Sequence, residues 1–308
     1  MLAAYITHPD CYKHEMGEDH PESPERLAAI NDQLLGHGLL DLMQSYDAPL
    51  ANEEQLARAH SSLHVHEIAA MSPKEGYVSV DPDTRMNPFT YQAALRSAGA
   101  VVLATDLVVT GKSSAAFCSI RPPGHHAEKT KAMGFCFFNN IAVGIRHALD
   151  FYGLQRVALI DFDVHHGNGS EDIFADDDRV LMCSIFENDL YPFSGTQAKG
   201  SNMINVGLPP YSRGDKMREA VEQFWLPALD EFKPELIYIS AGFDAHREDE
   251  MGRMGLVESD YEWVTRQLMK IANRHAKGRV ISSLEGGYAL SSLARSVTAH
   301  VKVLIGAD

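Results

Sequence analysis

The sequence predicts an α/β fold: one domain on a central, mostly parallel sheet flanked by helices. Apolar runs rich in Val, Ile and Phe recur between segments of helical period, the alternation expected of parallel strands joined by crossover helices. The 308 residues, 45% of them hydrophobic, can bury a large core. No Pro/Gly/Ser-rich linker, low-complexity run or internal repeat divides the chain, so residues 1–308 read as a single domain.

Five runs read as strands buried on both faces: Ser114 to Ile120, Arg156 to Val164, Val180 to Phe186, Glu235 to Phe243 and Gly278 to Leu284. Helical periodicity covers Tyr91 to Val109, Met217 to Phe232, Tyr261 to Ala276 and Ser291 to Ile305. Ser259 with Glu262 three residues on suggests a capping box for the third of these. The first hundred residues are less regular, and Met71 to Asn87 reads as a loop broken by Pro73, Gly76 and Pro82.

A formal net charge of -15 without a Lys/Arg cluster argues against nucleic acid as a partner. A cationic ligand suits that charge better, although acidity bears on solubility before function. The N-terminal MLAAYITHPDCYKHE lacks a basic segment followed by a long apolar one, so no signal peptide is expected. No apolar run is expected to span a membrane. Four scattered cysteines without C-x-x-C spacing suit reduced thiols, hence a cytoplasmic location.

Four motifs each begin where a strand ends: RPPGHH, DFDVHHGNG, GFDAH and LEGGY. In open parallel sheets the crevice beyond the carboxyl ends of the strands binds ligands, so segments distant in sequence converge there. Asp163 and His165, at i and i+2, project the same way, and Asp244 leaves a neighbouring strand. One imidazole and two carboxylates suit one catalytic zinc with an open fourth position. Any one Asp at a strand end could instead cap a helix. That alternative does not explain two His pairs, His125–His126 and His165–His166, beside two aspartates whose apolar strand context makes them look buried.

His125 and His126, held by RPPG, suit general acid–base work. Asp161 and Asn168 are the nearest acceptors for their ring N–H groups, although Asn168 between two glycines also reads as a turn residue. Gly286 and Gly287 allow a turn that presents Tyr288 as an oxyanion donor, with a core-packed tyrosine as the alternative.

RPPGHH, GFCFF, DFDVHHGNG, GFDA and EGGY in this order, with HPESPER upstream, resemble the zinc-dependent histone deacetylase superfamily, over nearly the whole chain. Asn168 and LEGGY look more like its class II members and bacterial relatives. The resemblance implies an arginase-like α/β domain and zinc on Asp163, His165 and Asp244. It implies His126 as main general base and acid, oriented by Asn168, with His125 as its partner bonded to Asp161. It also implies an acyl-lysine tunnel walled by Phe135 and Tyr191, with Gly134 at its base. Asp83, or else Asp81, matches a rim acid that binds substrate amides, and Met251 a variable rim position. A structural potassium is implied at Asp161, Asp163, His165 and Ser184, and a second near Phe174 and Val180. DAHREDEMG departs from the commoner Gly-Asp-Pro pattern, placing His246 and Glu250 near the rim and leaving open whether Glu250 or Met251 gates the tunnel.

The substrate is then the acyl amide of an acetyl-lysine protein or peptide; the alternative is an acetylated polyamine, handled by an acetylpolyamine amidohydrolase. An arginase-like two-metal hydrolase is disfavoured because Gly167, not an acid, follows Asp163 and His165 at the next alternate position. A catalytically inactive acyl-lysine binder is disfavoured because His125, His126 and Tyr288 are all present. The oligomeric state is left open.

Overall fold

The computed structural model describes residues 2–307. In chain order the strands are β1 (Ala3–Thr7), β2 (Met43–Asp47), β3 (Val78–Ser79), β4 (Arg85–Met86), β5 (Ala115–Cys118), β6 (Val157–Asp161), β7 (Val180–Glu187), β8 (Met203–Leu208), β9 (Leu236–Ala241) and β10 (Val280–Leu284). The helices are α1 (Glu25–Gly36), α2 (Glu53–Ala57), α3 (Ser62–Met71), α4 (Thr90–Val109), α5 (Asn140–Asp150), α6 (Asn168–Phe174), α7 (Gly214–Ala220), α8 (Leu226–Phe232), α9 (Glu258–His275) and α10 (Leu290–Leu304).

Eight strands form one sheet in the order β2-β1-β5-β10-β9-β6-β7-β8, and every pairing is parallel. β5, β6, β7, β9 and β10 are buried along their whole length, which is why they read as continuous apolar runs. The four central neighbours, β5-β10-β9-β6, are the four strands whose ends carry the chemical motifs. Parallel pairing sets those ends on one edge of the sheet.

Several expectations need correction. The irregular first hundred residues hold β1 and β2, which complete one side of the sheet. Their signal was weak because β2 is exposed along most of its length and β1 is only five residues long. The Met71 to Asn87 loop contains the small antiparallel pair β3-β4. α9 begins at Glu258, so Ser259 lies inside its first turn; Asp260 supplies the capping contact, accepting the Val257 N–H at 3.0 Å. α7 and α8 run on through a π-helical segment, Val221–Trp225. α4 is long and apolar enough to cross a membrane by length and composition. Most of it is buried inside the fold, where Ala93, Ala94, Ala98 and Val101 lie in the core, so packing accounts for its apolarity.

The segment before α1 is tied to the sheet centre by buried charge. Glu22 Oε1 accepts from Arg26 Nη1 at 3.0 Å and Glu22 Oε2 from Arg121 Nη2 at 2.6 Å, and all three residues are fully buried. Burial opposes ionisation of Glu22, but Arg121 and Arg26 hold its carboxyl well below the usual range. Arg121 opens the loop that carries His125 and His126, so this cluster braces the site from behind. Glu22→Ala leaves two buried guanidiniums without a counter-charge and is expected to destabilise the fold by about 3–5 kcal/mol in denaturant unfolding. Glu22→Gln, which keeps an acceptor, should lose less.

Candidate active site

Asp163 and Asp244 leave the ends of β6 and β9, and their carboxylates meet over His165. His165 Nδ1 lies 3.0 Å from Asp163 Oδ1 and 3.1 Å from Asp244 Oδ2. The other oxygens are held by the backbone: Asp163 Oδ2 accepts the Gly286 N–H at 2.8 Å, and Asp244 Oδ1 the Val164 N–H at 2.9 Å. Three buried donor atoms thus face one point, the one such cluster among the described residues. Tetrahedral zinc with bonds of about 2.0–2.2 Å places its ligand atoms roughly 3.3 Å apart. The observed spacings and the one-nitrogen, two-oxygen donor set therefore fit a zinc ion. Gly242 and Gly286 must be glycine here, because an added Cβ would meet the Asp163 or Asp244 carboxylate at 2.0–2.1 Å.

The loop after β5 brings both histidines against this cluster. His125 Nδ1 lies 2.9 Å from Asp161 Oδ2, and His125 Nε2 lies 3.8 Å from Asp163 Oδ2. Burial opposes a charge on His125, but Asp161 and Asp163 override it and raise its pKa well above the usual value. His126 is the opposite case: burial, with repulsion from His125 and His165, holds its pKa well below the usual value. The pair therefore divides into a cationic His125 and a neutral His126.

The tautomer of His126 follows from its neighbours. Asn168 Nδ2 donates to Glu128 Oε1 at 2.9 Å, which turns Asn168 Oδ1 toward His126 Nδ1 at 2.8 Å. A carbonyl oxygen only accepts, so the proton sits on Nδ1 and Nε2 carries the lone pair. Glu128 was not anticipated from sequence. It lies in an unremarkable stretch, and only the folded loop brings it to Asn168.

A cavity of about 120 Å³ leads to the cluster, lined by Asp83, His126, Gly134, Phe135, His165, Tyr191, Met251 and Tyr288. All five residues expected in the tunnel and rim thus line one cavity. Phe135 stands edge-on to Tyr288 at 6.0 Å between ring centroids, and Tyr191 packs edge-on to His126 at 5.1 Å. Gly134, at φ 57, has no room for a side chain, since a Cβ would lie 2.5 Å from the His126 ring.

Burial, with Asp244 and Asp163 nearby, pushes the Tyr288 hydroxyl well above the ordinary tyrosine range, so it stays a donor. Arg26 stacks over the Tyr288 ring at 4.8 Å and donates to the Gly287 and Glu285 carbonyls. Asp249 Oδ2 accepts the Tyr288 N–H at 2.6 Å, while Asp249 Oδ1 accepts the Met251 N–H at 3.0 Å. Asp249 thereby couples the tyrosine loop to the rim.

At the rim, Asp81 is committed to a turn, accepting the Asp83 and Thr84 N–H groups, which leaves Asp83 to line the cavity. Met251 lines it as well, whereas the exposed Glu250 does not. His246 is fully buried 3.5 Å from Glu258 and does not reach the rim, contrary to expectation.

The two implied potassium positions differ. The carbonyls of the buried Asp163 and His165 accept no hydrogen bond from any described residue, which suits a cation beside Asp161 and Ser184. The second position does not fit. The Phe174, Asp177 and Val180 carbonyls converge at 2.8–3.1 Å on Asn202 Nδ2, so the Asn202 amide already fills the space a cation would take. Gly167 bears on the two-metal alternative: a Cβ there would meet Asp161 Oδ2 at 2.2 Å, so no acid could be accommodated.

Comparison with known proteins gives the family. The family model described as "Histone deacetylase domain" matches residues 20–304. A histone deacetylase-like amidohydrolase of Pseudomonas aeruginosa is 38% identical over 276 residues, covering 87% of this chain and 72% of that protein. A probable deacetylase of Archaeoglobus fulgidus is 34% identical over 301 residues, covering 94% of this chain and 82% of that one. The crystal structure of the HDA15 HD domain superposes with a TM-score of 0.92 at 31% identity, covering 99% of this chain and 88% of that chain. The chain belongs to the histone deacetylase family of amidohydrolases.

Proposed function

We propose that this protein is a zinc-dependent deacylase that hydrolyses the amide of acetyl-lysine in a peptide or protein, acting as a single catalytic domain in the cytoplasm. The observation that carries the reading is the small cavity of about 120 Å³ whose aromatic walls, Phe135, Tyr191 and Tyr288, suit a linear acyl-amine stem and which reaches His126 and His165 of the Asp163–His165–Asp244 cluster. A structural potassium at Asp161, Asp163, His165 and Ser184 belongs to the same reading.

Asp163, His165 and Asp244 would hold the zinc, which when bound supplies Lewis-acid polarisation of the acyl carbonyl. His126 Nε2, unprotonated, takes the proton of the attacking water. It later delivers that proton to the departing lysine nitrogen. His125, kept cationic by Asp161 and Asp163, stabilises negative charge that develops as the water is deprotonated. Tyr288 donates its hydroxyl proton in a hydrogen bond to the oxyanion of the tetrahedral carbon, and Phe135 and Tyr191 exclude water from the stem.

An acetylated polyamine is the second reading. Asp83 at the cavity mouth favours it, since a carboxylate there could pair with a distal ammonium. Against it, Met251 offers no charge and Glu250 lies outside the cavity lining.

Asp163→Ala should lose both bound metal, read by elemental analysis, and all turnover; a metal-free preparation that keeps full activity would refute the metal reading. Tyr288→Phe is expected to lower kcat about 10²–10³-fold with little change in KM. His126→Ala should lose turnover while keeping its metal, which separates proton transfer from metal binding. Comparing an acetyl-lysine peptide with acetylputrescine ranks the two substrates, and Met251→Glu should shift the kcat/KM ratio toward the polyamine. A wild type that already prefers acetylputrescine would overturn the peptide assignment.

A further inference from the structure

Beside the tunnel mouth lies a second hollow of about 770 Å³ whose charge runs against that of the whole chain. Arg213, Arg218, Arg247 and Arg253 line it, in a protein of net charge -15. Two of these are already neutralised: Arg218 Nη2 lies 2.8 Å from Asp260 Oδ1, and Arg253 Nη2 lies 2.6 Å from the buried Glu187 Oε1. The exposed Arg213 and Arg247 guanidiniums have no hydrogen-bond or ion-pair partner among the described residues, and the one remaining carboxylate of the lining is the exposed Asp215.

The hollow adjoins the catalytic tunnel through consecutive residues, since Met251 lines the tunnel while Gly252 and Arg253 line the hollow. At its edge Tyr211 is 74% exposed and held at φ 66, with its N–H donating to the Arg253 carbonyl at 3.0 Å. A bulky residue kept in left-handed backbone with its ring in solvent is costly, and such strain clusters where ligands bind. On the Tyr288 side of the tunnel the neighbouring hollow is lined instead by Glu15, Glu18, Asp19 and Glu25. Of the two hollows that flank the tunnel, the cationic one is therefore the one on the Met251 side.

Resting on the deacylase reading above, we propose that the arginine hollow is a substrate subsite for an anionic side chain, carboxylate or phosphate, close in sequence to the acyl-lysine. The preferred substrate is an acyl-lysine segment flanked by acid, not a uniformly basic tail and not a free polyamine. Guanidiniums suit this because their planar fork pairs two N–H groups with two oxygens of either anion.

The test uses acetyl-lysine peptides of equal length carrying neutral, Asp or phosphoserine flanks, placed in turn on either side of the lysine. The wild type and the Arg213→Gln/Arg247→Gln variant are compared, with a minimal acetyl-lysine amide as control. Neither arginine belongs to the catalytic machinery, and Gln keeps part of the stem. In the wild type kcat/KM should rise about 3–10-fold from neutral to Asp flanks on one side, more for phosphoserine, and mostly through KM. The preference should collapse in the variant and in 0.5 M salt, while minimal-amide turnover stays unchanged in low salt. Equal turnover of all flanks by the wild type, or a preference that survives in the variant, overturns the subsite. A variant that fails to fold would also lose the minimal amide, and the salt dependence of the wild type then decides. Failure to hydrolyse any acetyl-lysine substrate while acetylputrescine is turned over would instead sink the deacylase reading itself.

Discussion

Four carboxylates, those of Asp161, Asp163, Asp244 and Glu285, are buried side by side at the ends of β6, β9 and β10, and the centre of the molecule is organised around making that tolerable. Burial, reinforced by the neighbouring Asp163 and Asp161 carboxylates, holds Asp244 and Glu285 up at about 7 despite the nearby histidines. The protein answers with oriented donors. Glu285 Oε2 accepts the Gly124 and His125 N–H groups at 2.7 and 3.1 Å, and Asp161 Oδ1 the Asp163 N–H at 3.1 Å. Each such bond also fixes a stretch of backbone, so the device that makes the charges bearable also aims the side chains of the candidate site. A cation seated among Asp163, His165 and Asp244 would complete the compensation.

The same economy links the mobile-looking parts of the site to rigid ones. Tyr288 follows two glycines, yet Arg26 stacks on its ring and Asp249 holds its N–H, so the loop has little freedom. Arg26 in turn is paired to Glu22, which also holds Arg121 at the start of the histidine loop. One buried cluster thus supports both the Tyr288 turn and the loop that carries His125 and His126. Preorganisation of this kind matters because donors already in place need no reorganisation when charge develops.

Much of the site was legible before the fold was known because its chemistry is local in sequence. Asp163 and His165 share a strand end, and parallel strands bring such ends to one edge, so the candidate metal-ligand cluster and the convergence of four motifs could be read from the residues alone. Asp83, Phe135, Tyr191 and Met251 came only through the family resemblance. Their side chains look like ordinary core or loop residues until distant loops close around a common cavity.

The sequence by itself determined the parallel α/β class, the strand-end donors and the acid–base and oxyanion candidates, because alternation, burial and ligand spacing are short-range properties. Tertiary structure decided the rest. It set β5, β10, β9 and β6 side by side, placed Asp83 and not Asp81 in the cavity lining, and buried His246. It fixed the His126 tautomer through Asn168 and Glu128, and filled one implied potassium position with the Asn202 amide. Each of these depends on contacts between segments 12 to more than 100 residues apart, or on a turn whose hydrogen bonds exist only once the chain has closed around it.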